Sequence, residues 1–308
     1  MNIPNLWMRM KQQRSDEWGN FRSHVLKPFI EVIKPKQTML LMITCIVAYL
    51  IASSGSIDFI HFIITCLSTT LAIAGTTALN MWLDRDIDAL MKRTKNRPLP
   101  SGRLSPNACA IYGFILFILG FGIGLLYIHL LFAIILLLGL FFDIVIYTIL
   151  LKRRSPYSII LGGIAGAMPA LAGWVSVKGF DILGGIILAL IVLFWIPTHI
   201  WYITMYYEED YRRARIPMYP LVVGMEKASW VIVITIVLMM LMIPLIYILA
   251  HLNIYSLVLS ILITGYLLCR AIRFAKSPSR ERARGMYVLA SIILGCIYIL
   301  MLLGVYLK

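Results

Sequence analysis

Long apolar runs recur along almost the whole chain and constrain its fold more than any other feature. About 17 to 25 apolar residues are enough to cross a bilayer as an α-helix, and nine runs approach or reach this length. They are predicted at residues 38–54, 59–80, 108–128, 130–150, 156–176, 182–202, 228–250, 254–273 and 286–306. Only 14% of the residues are charged, against about 25% in soluble domains. The sequence therefore predicts an all-α, polytopic membrane protein with nine transmembrane helices.

The basic residues predict how these spans are oriented. Of the 28 Lys and Arg residues, all but Lys178 and Lys308 lie in the N-terminal segment or in alternate connections between spans. Cytoplasmic loops carry such an excess of Lys and Arg, so we expect a cytoplasmic N-terminus and an external C-terminus. Because this asymmetry accounts for the net charge of +14, we expect no nucleic-acid partner.

Residues 1–35 are expected to form a cytoplasmic segment, separate from a membrane domain at 36–308. The segment lacks the apolar core of a signal peptide, and Asp16, Glu17 and Glu31 distinguish it from acid-poor transit peptides. Its apolar side chains alternate with basic ones, a pattern typical of an amphipathic helix on a membrane surface.

Asn80, Asp84 and Asp88 follow the second apolar run at intervals of four residues. If the helix continues past Asn80, the three side chains lie on one face over roughly 12 Å. Carboxylates on one stripe repel each other unless a cation joins them, and Mg²⁺ combines such oxygen ligands with substrate phosphate. Arg93 and Arg97 follow, with a Pro-rich turn that directs them back towards the stripe. The pattern predicts a metal-diphosphate site at the mouth of a membrane cavity.

This stretch admits two other interpretations. A calcium loop of the EF-hand type is set aside, because the stretch lacks the glycine and the glutamate that such a loop requires at its sixth and twelfth positions. A solvated connector, whose Asp and Arg side chains pair with each other, is the alternative that remains.

A second group of polar residues surrounds the end of the sixth run. His199 precedes Asp210 by about three helical turns, so a continuous helix would direct both side chains into one cavity. Ionisable groups inside a membrane are often functional, although a lone His is more often a satisfied core residue. We expect His199 to face a substrate or handle protons, and Asp210 to be a second metal ligand.

A third group lies around the end of the fourth run. Asp143 is expected to pair with a base such as Lys152, while the basic residues there can equally be topological signals. The glycines from Gly162 to Gly166 favour close helix packing over a phosphate cradle, because they lie inside a span.

These motifs together resemble those of the UbiA-type intramembrane prenyltransferases, and most closely the haem-directed branch of protohaem IX farnesyltransferases. The motifs that carry the resemblance are Asn80-x-x-x-Asp84-x-Asp86-x-Asp88, Arg93-Thr94-x-x-Arg97-Pro98, Lys34-Pro35, Tyr147-Thr148-x-x-Leu151-Lys152-Arg153, and Pro197-x-His199 with Asp210-Tyr211. The likeness runs from about residue 30 to the end. Two departures from quinone- and lipid-directed relatives agree with the haem branch: Met81 stands where they carry Asp, and Tyr206 stands four residues before Asp210.

The resemblance implies nine helices around a central cavity and a Mg²⁺-dependent reaction. A farnesyl group would pass from farnesyl diphosphate to a vinyl group of haem B, with addition of water, to give haem O. The implied metal ligands are Asn80, Asp84, Asp88 and Asp210, of which the three carboxylates would act in catalysis with His199. The implied diphosphate ligands are Arg93, Arg97, Lys152 and Arg153, and the implied haem contacts are His199 and Tyr147.

The resemblance also implies a setting and partners. The protein would lie among the lipids of the cell membrane with its site loops on the cytoplasmic side, and haem A synthase or terminal oxidase subunits would be its partners. Two other functions stay open: a prenyltransferase with a quinone-precursor or lipid acceptor, and an ion-coupled transporter. A transporter is expected to hold its carboxylates near the middle of the membrane, whereas these cluster at the ends of spans.

Overall fold

The computed structural model describes residues 26–307, and every regular element in that part of the chain is a helix. The N-terminal segment predicted to be amphipathic lies outside the described residues up to position 25. Its last part contains one short helix, α1 (Lys27–Val32), directly before the first span. The division into segments at residue 35 stays a prediction.

Among the described residues, nine helices are long and apolar enough to cross a membrane, which confirms the predicted number. The spans are α2 (Pro35–Ala52), α3 (Phe59–Leu83), α5 (Pro106–Tyr127), α6 (Leu130–Leu140) with the π-helical segment that continues it (Phe141–Leu151), α7 (Ser158–Lys178), α8 (Leu183–Tyr206), α11 (Met225–Leu249), α12 (Ile254–Lys276) and α13 (Arg280–Tyr306). Three further short helices lie between them: α4 (Arg85–Leu90), α9 (Glu208–Arg213) and α10 (Tyr219–Val223). Which end of each span faces the cytoplasm stays a prediction.

Small residues allow the spans to approach closely. A Cβ atom on Gly75 of α3 would lie 2.5 Å from the backbone nitrogen of Phe117 in α5. Likewise, a Cβ on Gly173 of α7 would lie 2.1 Å from the carbonyl oxygen of Cys45 in α2. Helices in lipid gain little from hydrophobic burial against each other, so close contact at such residues supplies much of their association.

The fourth span differs from the uniform α-helix expected at 130–150. At Phe141 the α-helix widens into a π-helix that continues to Leu151, with a backbone bond of 2.7 Å from the Lys152 N–H to the Tyr147 carbonyl. The wider turn brings the Tyr147 ring against α7 at Gly162, where a Cβ would lie 2.6 Å from that ring. The apolar sequence alone does not specify the type of helical turn, which here accompanies this close packing between spans.

The π-helix also changes which side chains share a face. Asp143 and Lys152 are nine residues apart, so an α-helix would place them on opposite sides, about 180° apart. With roughly 4.4 residues per turn in a π-helix, the same pair differs by only about 16°. Asp143, Tyr147 and Lys152 accordingly all line one cavity.

Candidate active site

A cavity of about 560 Å³ lies between α2, α3, the π-helical segment, α7 and α8. Charged and amide side chains line it where α3 and the π-helical segment end: Lys34, Asn80, Asp84, Asp88, Arg93, Arg97 and Lys152. Apolar and aromatic residues line its remainder, among them Leu40, Ile73, Leu136, Leu140, Met168, Pro169 and Trp195. The cavity therefore combines a charged end with an apolar body, as an amphiphilic ligand with an anionic head requires.

The predicted stripe of Asn80, Asp84 and Asp88 forms, although the helix does not run through it unbroken. α3 ends at Leu83 and α4 begins at Arg85. Backbone hydrogen bonds from Asp84 N–H to the Asn80 carbonyl (3.0 Å) and from Asp88 N–H to the Asp84 carbonyl (2.8 Å) carry the helical register across the junction. All three side chains are buried and line the cavity.

Cations from elsewhere in the chain pair with the two carboxylates of the stripe. Lys152 pairs with one oxygen of Asp84, while the other oxygen, Oδ1, is buried without a hydrogen-bond partner among the described residues. Arg97 donates from one nitrogen to both oxygens of Asp88, at 2.9 and 2.7 Å. Burial by itself lowers the pKa of Lys152, but the neighbouring Tyr147 and Asp84 outweigh it and raise that pKa. Lys152 therefore stays charged beside Asp84.

Arg153 lies outside the cavity, although it was predicted to contact a diphosphate together with Lys152. Its guanidinium donates two hydrogen bonds of 2.6 Å to Asp86 on the exposed surface. The hydrogen bond from Arg153 lowers the pKa of the Asp86 carboxyl. The structure thus separates the two adjacent bases: Lys152 faces the cavity and Arg153 faces away from it.

Lys34 is a site residue to which the sequence assigns no role, although Lys34-Pro35 is one of the motifs that carry the resemblance. Its Nζ atom donates to Oδ1 of Asn80 at 3.3 Å, and it lines the cavity. Its backbone adopts a left-handed conformation, with φ of 45°, directly before the start of α2. Burial, helped by the nearby charge of Arg97, lowers the pKa of Lys34 to about 8. The signal that could have located it is a base directly before Pro35 at the start of a span.

The continuous helix predicted to carry both His199 and Asp210 is interrupted, and the expectation that both face one cavity is wrong. His199 lines the cavity described above, whereas Asp210 lies at a separate pocket beside Lys92 and Arg93. α8 ends at Tyr206, and Asp210 lies in the separate helix α9. The Asp210 carboxylate accepts hydrogen bonds from the backbone N–H groups of Lys92 and Arg93, at 3.0 and 3.2 Å. Asp210 thereby holds the connection after α4 in place, and its predicted role as a metal ligand stays a prediction.

His199 lines the cavity from α8, where aromatic and polar neighbours fix its ring. It stacks on Trp195 with ring centroids 4.7 Å apart, and its Nδ1 atom lies 3.0 Å from the Ser291 hydroxyl. Tyr147 lines the same cavity, with its ring centroid 5.3 Å from Nζ of Lys152. Both predicted haem contacts therefore face the space that a substrate would occupy.

The residues at the charged end fit a hard divalent cation. No three Asp, Glu, His or Cys side chains are grouped as a metal site in residues 26–307. Asn80, Asp84 and Asp88 nevertheless offer oxygen atoms, the ligand type that Mg²⁺ prefers. Oδ1 of Asp84, which has no hydrogen-bond partner in the part of the chain that the structure describes, is a buried acceptor of the kind that a cation would satisfy. Substrate phosphate would have to supply further ligands.

The nine long apolar helices within residues 26–307 and the charged cavity between them agree with a family of membrane enzymes that transfer prenyl groups. The UbiA prenyltransferase family matches the chain over residues 41–304, and the chain belongs to this family of enzymes.

Its relatives include proteins named protoheme IX farnesyltransferase. The one from Archaeoglobus fulgidus is 57% identical over 282 residues, which are 92% of this chain and 99% of that protein. The one from Korarchaeum cryptofilum is 46% identical over 89% of this chain and 92% of that protein.

Solved structures share the fold. A digeranylgeranylglyceryl phosphate synthase aligns with a TM-score of 0.76 at 24% identity, over 92% of this chain and 99% of its own. A UbiA homologue from Archaeoglobus fulgidus, bound to GPP and Mg²⁺, aligns with a TM-score of 0.65 at 13% identity, over 89% and 99% of the two chains. The chain is therefore a multi-pass membrane protein with the UbiA prenyltransferase fold.

Proposed function

We propose that this protein is a protohaem IX farnesyltransferase, which converts haem B to haem O with farnesyl diphosphate as donor. The observation that carries the proposal is the cavity itself, in which a charged end leads into an apolar body that also contains His199 and Tyr147. An isoprenoid diphosphate has the matching distribution of charge. The names of the most similar relatives support haem as the acceptor.

The residues at the charged end would bind the diphosphate and stabilise its departure. Mg²⁺, held by Asn80, Asp84 and Asp88 with Asp210 as a further proposed ligand, would supply a Lewis acid for the leaving group. Lys152, Arg97 and Arg93 would neutralise the remaining negative charge as the bond to the prenyl carbon breaks. Of the four predicted diphosphate ligands, Arg153 has the weakest support, because Asp86 engages it on the surface.

The apolar body of the cavity would protect the reaction from bulk water. A prenyl carbocation reacts with any water that reaches it, so the walls around Leu136, Met168 and Pro169 would keep water away until the new bond forms. The electron-rich vinyl group would attack the allylic carbon. His199 would contact the haem, and the stack with Trp195 holds its ring ready for that contact.

The setting and partners are part of the same proposal. The protein would lie in the cell membrane with the charged end of its cavity on the cytoplasmic side, as its basic connections predict. Haem A synthase or terminal oxidase subunits would receive the product.

The direct experiment supplies the purified protein in lipid with haem B, farnesyl diphosphate and Mg²⁺. The haem is then extracted and its mass measured, with Asp84→Asn as a matched variant that keeps the shape of the side chain. We expect haem to gain the hydroxyethylfarnesyl mass with the wild type, and turnover to fall by at least ~10²-fold in the variant, because a charged ligand of the metal and diphosphate is lost. Near-normal activity of the variant would remove the metal argument.

A prenyltransferase with a different acceptor is the second candidate. If haem is unchanged, but a quinone precursor or a lipid acceptor is prenylated when offered instead, the family assignment stands and the haem proposal fails. Omitting Mg²⁺ and adding a chelator tests the metal separately from the acceptor.

A further inference from the structure

Asp143 is a carboxylate inside a membrane span for which the site described above has no use. It lies in the π-helical segment, is half-buried and lines the same cavity as Asp84 and Lys152. The sequence suggested that it pairs with a base. Within residues 26–307, however, it forms no ion pair, and no group donates a hydrogen bond to its carboxylate. Lys152 lies on the same face of the π-helical segment as Asp143, but it pairs with Asp84 instead.

An unpaired carboxylate within a span is unfavourable in free energy, because the membrane interior solvates its charge poorly. Ionisable groups within spans are therefore normally paired or functional. The chain also uses an unusual backbone to direct Asp143 into the cavity, because an α-helix would turn it to the side opposite Lys152. The hydroxyl of Thr148 reinforces this backbone by donating to the Asp143 carbonyl at 2.7 Å. Asn80 in turn donates to that hydroxyl at 2.8 Å, which connects the Asp143 turn to the carboxylate stripe.

The charges around Asp143 place it at the reacting end of the cavity. It lies within electrostatic range of Lys34, Lys152 and Asp84, the groups that surround the proposed diphosphate position. The other carboxylates of the cavity, Asp84 and Asp88, are paired with Lys152 and Arg97. His199 also lines the cavity, where its ring contacts Trp195 and Ser291.

The chemistry of the proposed reaction requires a proton acceptor near the diphosphate. The bond between the prenyl carbon and the diphosphate oxygen breaks, and its electron pair leaves with the diphosphate. The vinyl π electrons then form the new carbon–carbon bond, which leaves a positive charge on the adjacent carbon of the haem side chain. That carbon is only two bonds from the carbon that the diphosphate left. A water molecule that adds there must lose a proton within a few ångströms of the charged end.

We propose that Asp143 is the base that accepts this proton, an inference that rests on the proposed function. The water oxygen forms a bond to the cationic carbon, one O–H bond of that water breaks, and the proton passes to a carboxylate oxygen of Asp143. The product is the hydroxyl of the hydroxyethylfarnesyl chain. Without a base to direct water, the same cation instead loses a proton from a neighbouring carbon and gives an alkene that is lighter by one water. Asp143 therefore selects the product, in addition to any effect on rate.

The test measures the ratio of these two products by mass analysis of extracted haem. In Asp143→Asn we expect farnesylated haem that lacks the water to become the major product, while the wild type gives the hydroxylated form. Asp143→Glu keeps a carboxylate but displaces it by one methylene, so we expect a mixture of both products. Asp181→Asn removes an exposed carboxylate from the connection between α7 and α8 and should leave the ratio unchanged.

Each outcome decides between the proposals. If Asp143→Asn gives hydroxylated haem as its sole product, whether turnover is fast or slow, the role of Asp143 as base is overturned. If Asp143→Asn fails to fold, Asp143→Ala, which also removes the carboxylate, decides in the same way, and hydroxylated haem alone counts against the base. A His199→Gln variant that yields the alkene while Asp143→Asn does not would transfer the role to His199. Unmodified haem with the wild type overturns the proposed function itself, which is a different result from a changed product ratio.

Discussion

The pair between Lys152 and Asp84 offers the sharpest test of how the charged end is held together. Asp84 is buried, and its second oxygen already lacks a partner among the described residues. In Lys152→Met the whole carboxylate would lose its compensating charge while the volume of the side chain is largely kept. Removing one partner of a buried pair costs about 3–5 kcal/mol, because an uncompensated charge is left behind.

The expected effect on thermal unfolding follows from the size of the protein. In a chain of this length each kcal/mol lowers the unfolding midpoint by about 2 °C, so Lys152→Met should unfold about 6–10 °C below the wild type in the presence of a chelator. Adding Asp84→Asn to Lys152→Met removes the unpaired charge and should recover at least half of that loss. The double variant thereby separates the charge effect from the loss of packing.

The adjacent residue provides a matched control. Arg153 pairs with Asp86 on the exposed surface, where ion pairs contribute roughly 0–1 kcal/mol, so Arg153→Met should shift the midpoint by no more than about 2 °C. The assay is thermal unfolding of the purified variants in one detergent, with a chelator and then with excess Mg²⁺. Equal midpoints for Lys152→Met and Arg153→Met, or a double variant as unstable as Lys152→Met, would refute the reasoning. Partial recovery of Lys152→Met by Mg²⁺ would show that the cation replaces the lysine charge.

Three further predictions concern the surroundings of the site. Gly162→Ala places a Cβ 2.6 Å from the ring of Tyr147, so we expect about 1–3 kcal/mol of destabilisation, measured by thermal unfolding; an unchanged midpoint would contradict the close packing. Lys34→Gln keeps a donor for Asn80 but removes the charge, so KM for farnesyl diphosphate should rise about tenfold or more, as the loss of a charged hydrogen bond implies, while an unchanged KM would exclude Lys34 from the diphosphate site. Asp210→Ala removes the acceptor for two backbone amides, so hydrogen exchange there should accelerate, and unchanged protection would show that the contact carries little stability.

Local patterns in the sequence were sufficient to predict the membrane spans and the stripe of Asn80, Asp84 and Asp88. An apolar run of bilayer length must form its backbone hydrogen bonds within itself, so it folds as a helix whatever lies beside it. The stripe formed as predicted because Asn80, Asp84 and Asp88 are spaced by about one helical turn, and the register survives the junction between α3 and α4. Each of these features depends on residues fewer than about 25 positions apart.

The partners of the site residues could not be predicted in the same way, because they come from distant parts of the chain. Asp84 pairs with Lys152 across 68 positions, and Asp210 binds backbone groups more than 100 positions away. Only the packing of the spans determines which of several available cations reaches a given carboxylate. The two adjacent bases Lys152 and Arg153 illustrate this, since identical local context gave them the same predicted role and the structure directs them to different carboxylates.

The sequence by itself therefore determined that residues 26–307 contain nine helices long and apolar enough to cross a membrane, with oxygen ligands and bases at the ends of these spans. The tertiary structure decided which of those groups face one another and which side chains line the cavity between them. The π-helical turn shows the physical reason. Apolar residues favour helix of any kind in lipid, but the close contact between Tyr147 and Gly162 accompanies the wider turn that brings Asp143 onto the cavity face. That contact joins two different spans, and no pattern within either one encodes it.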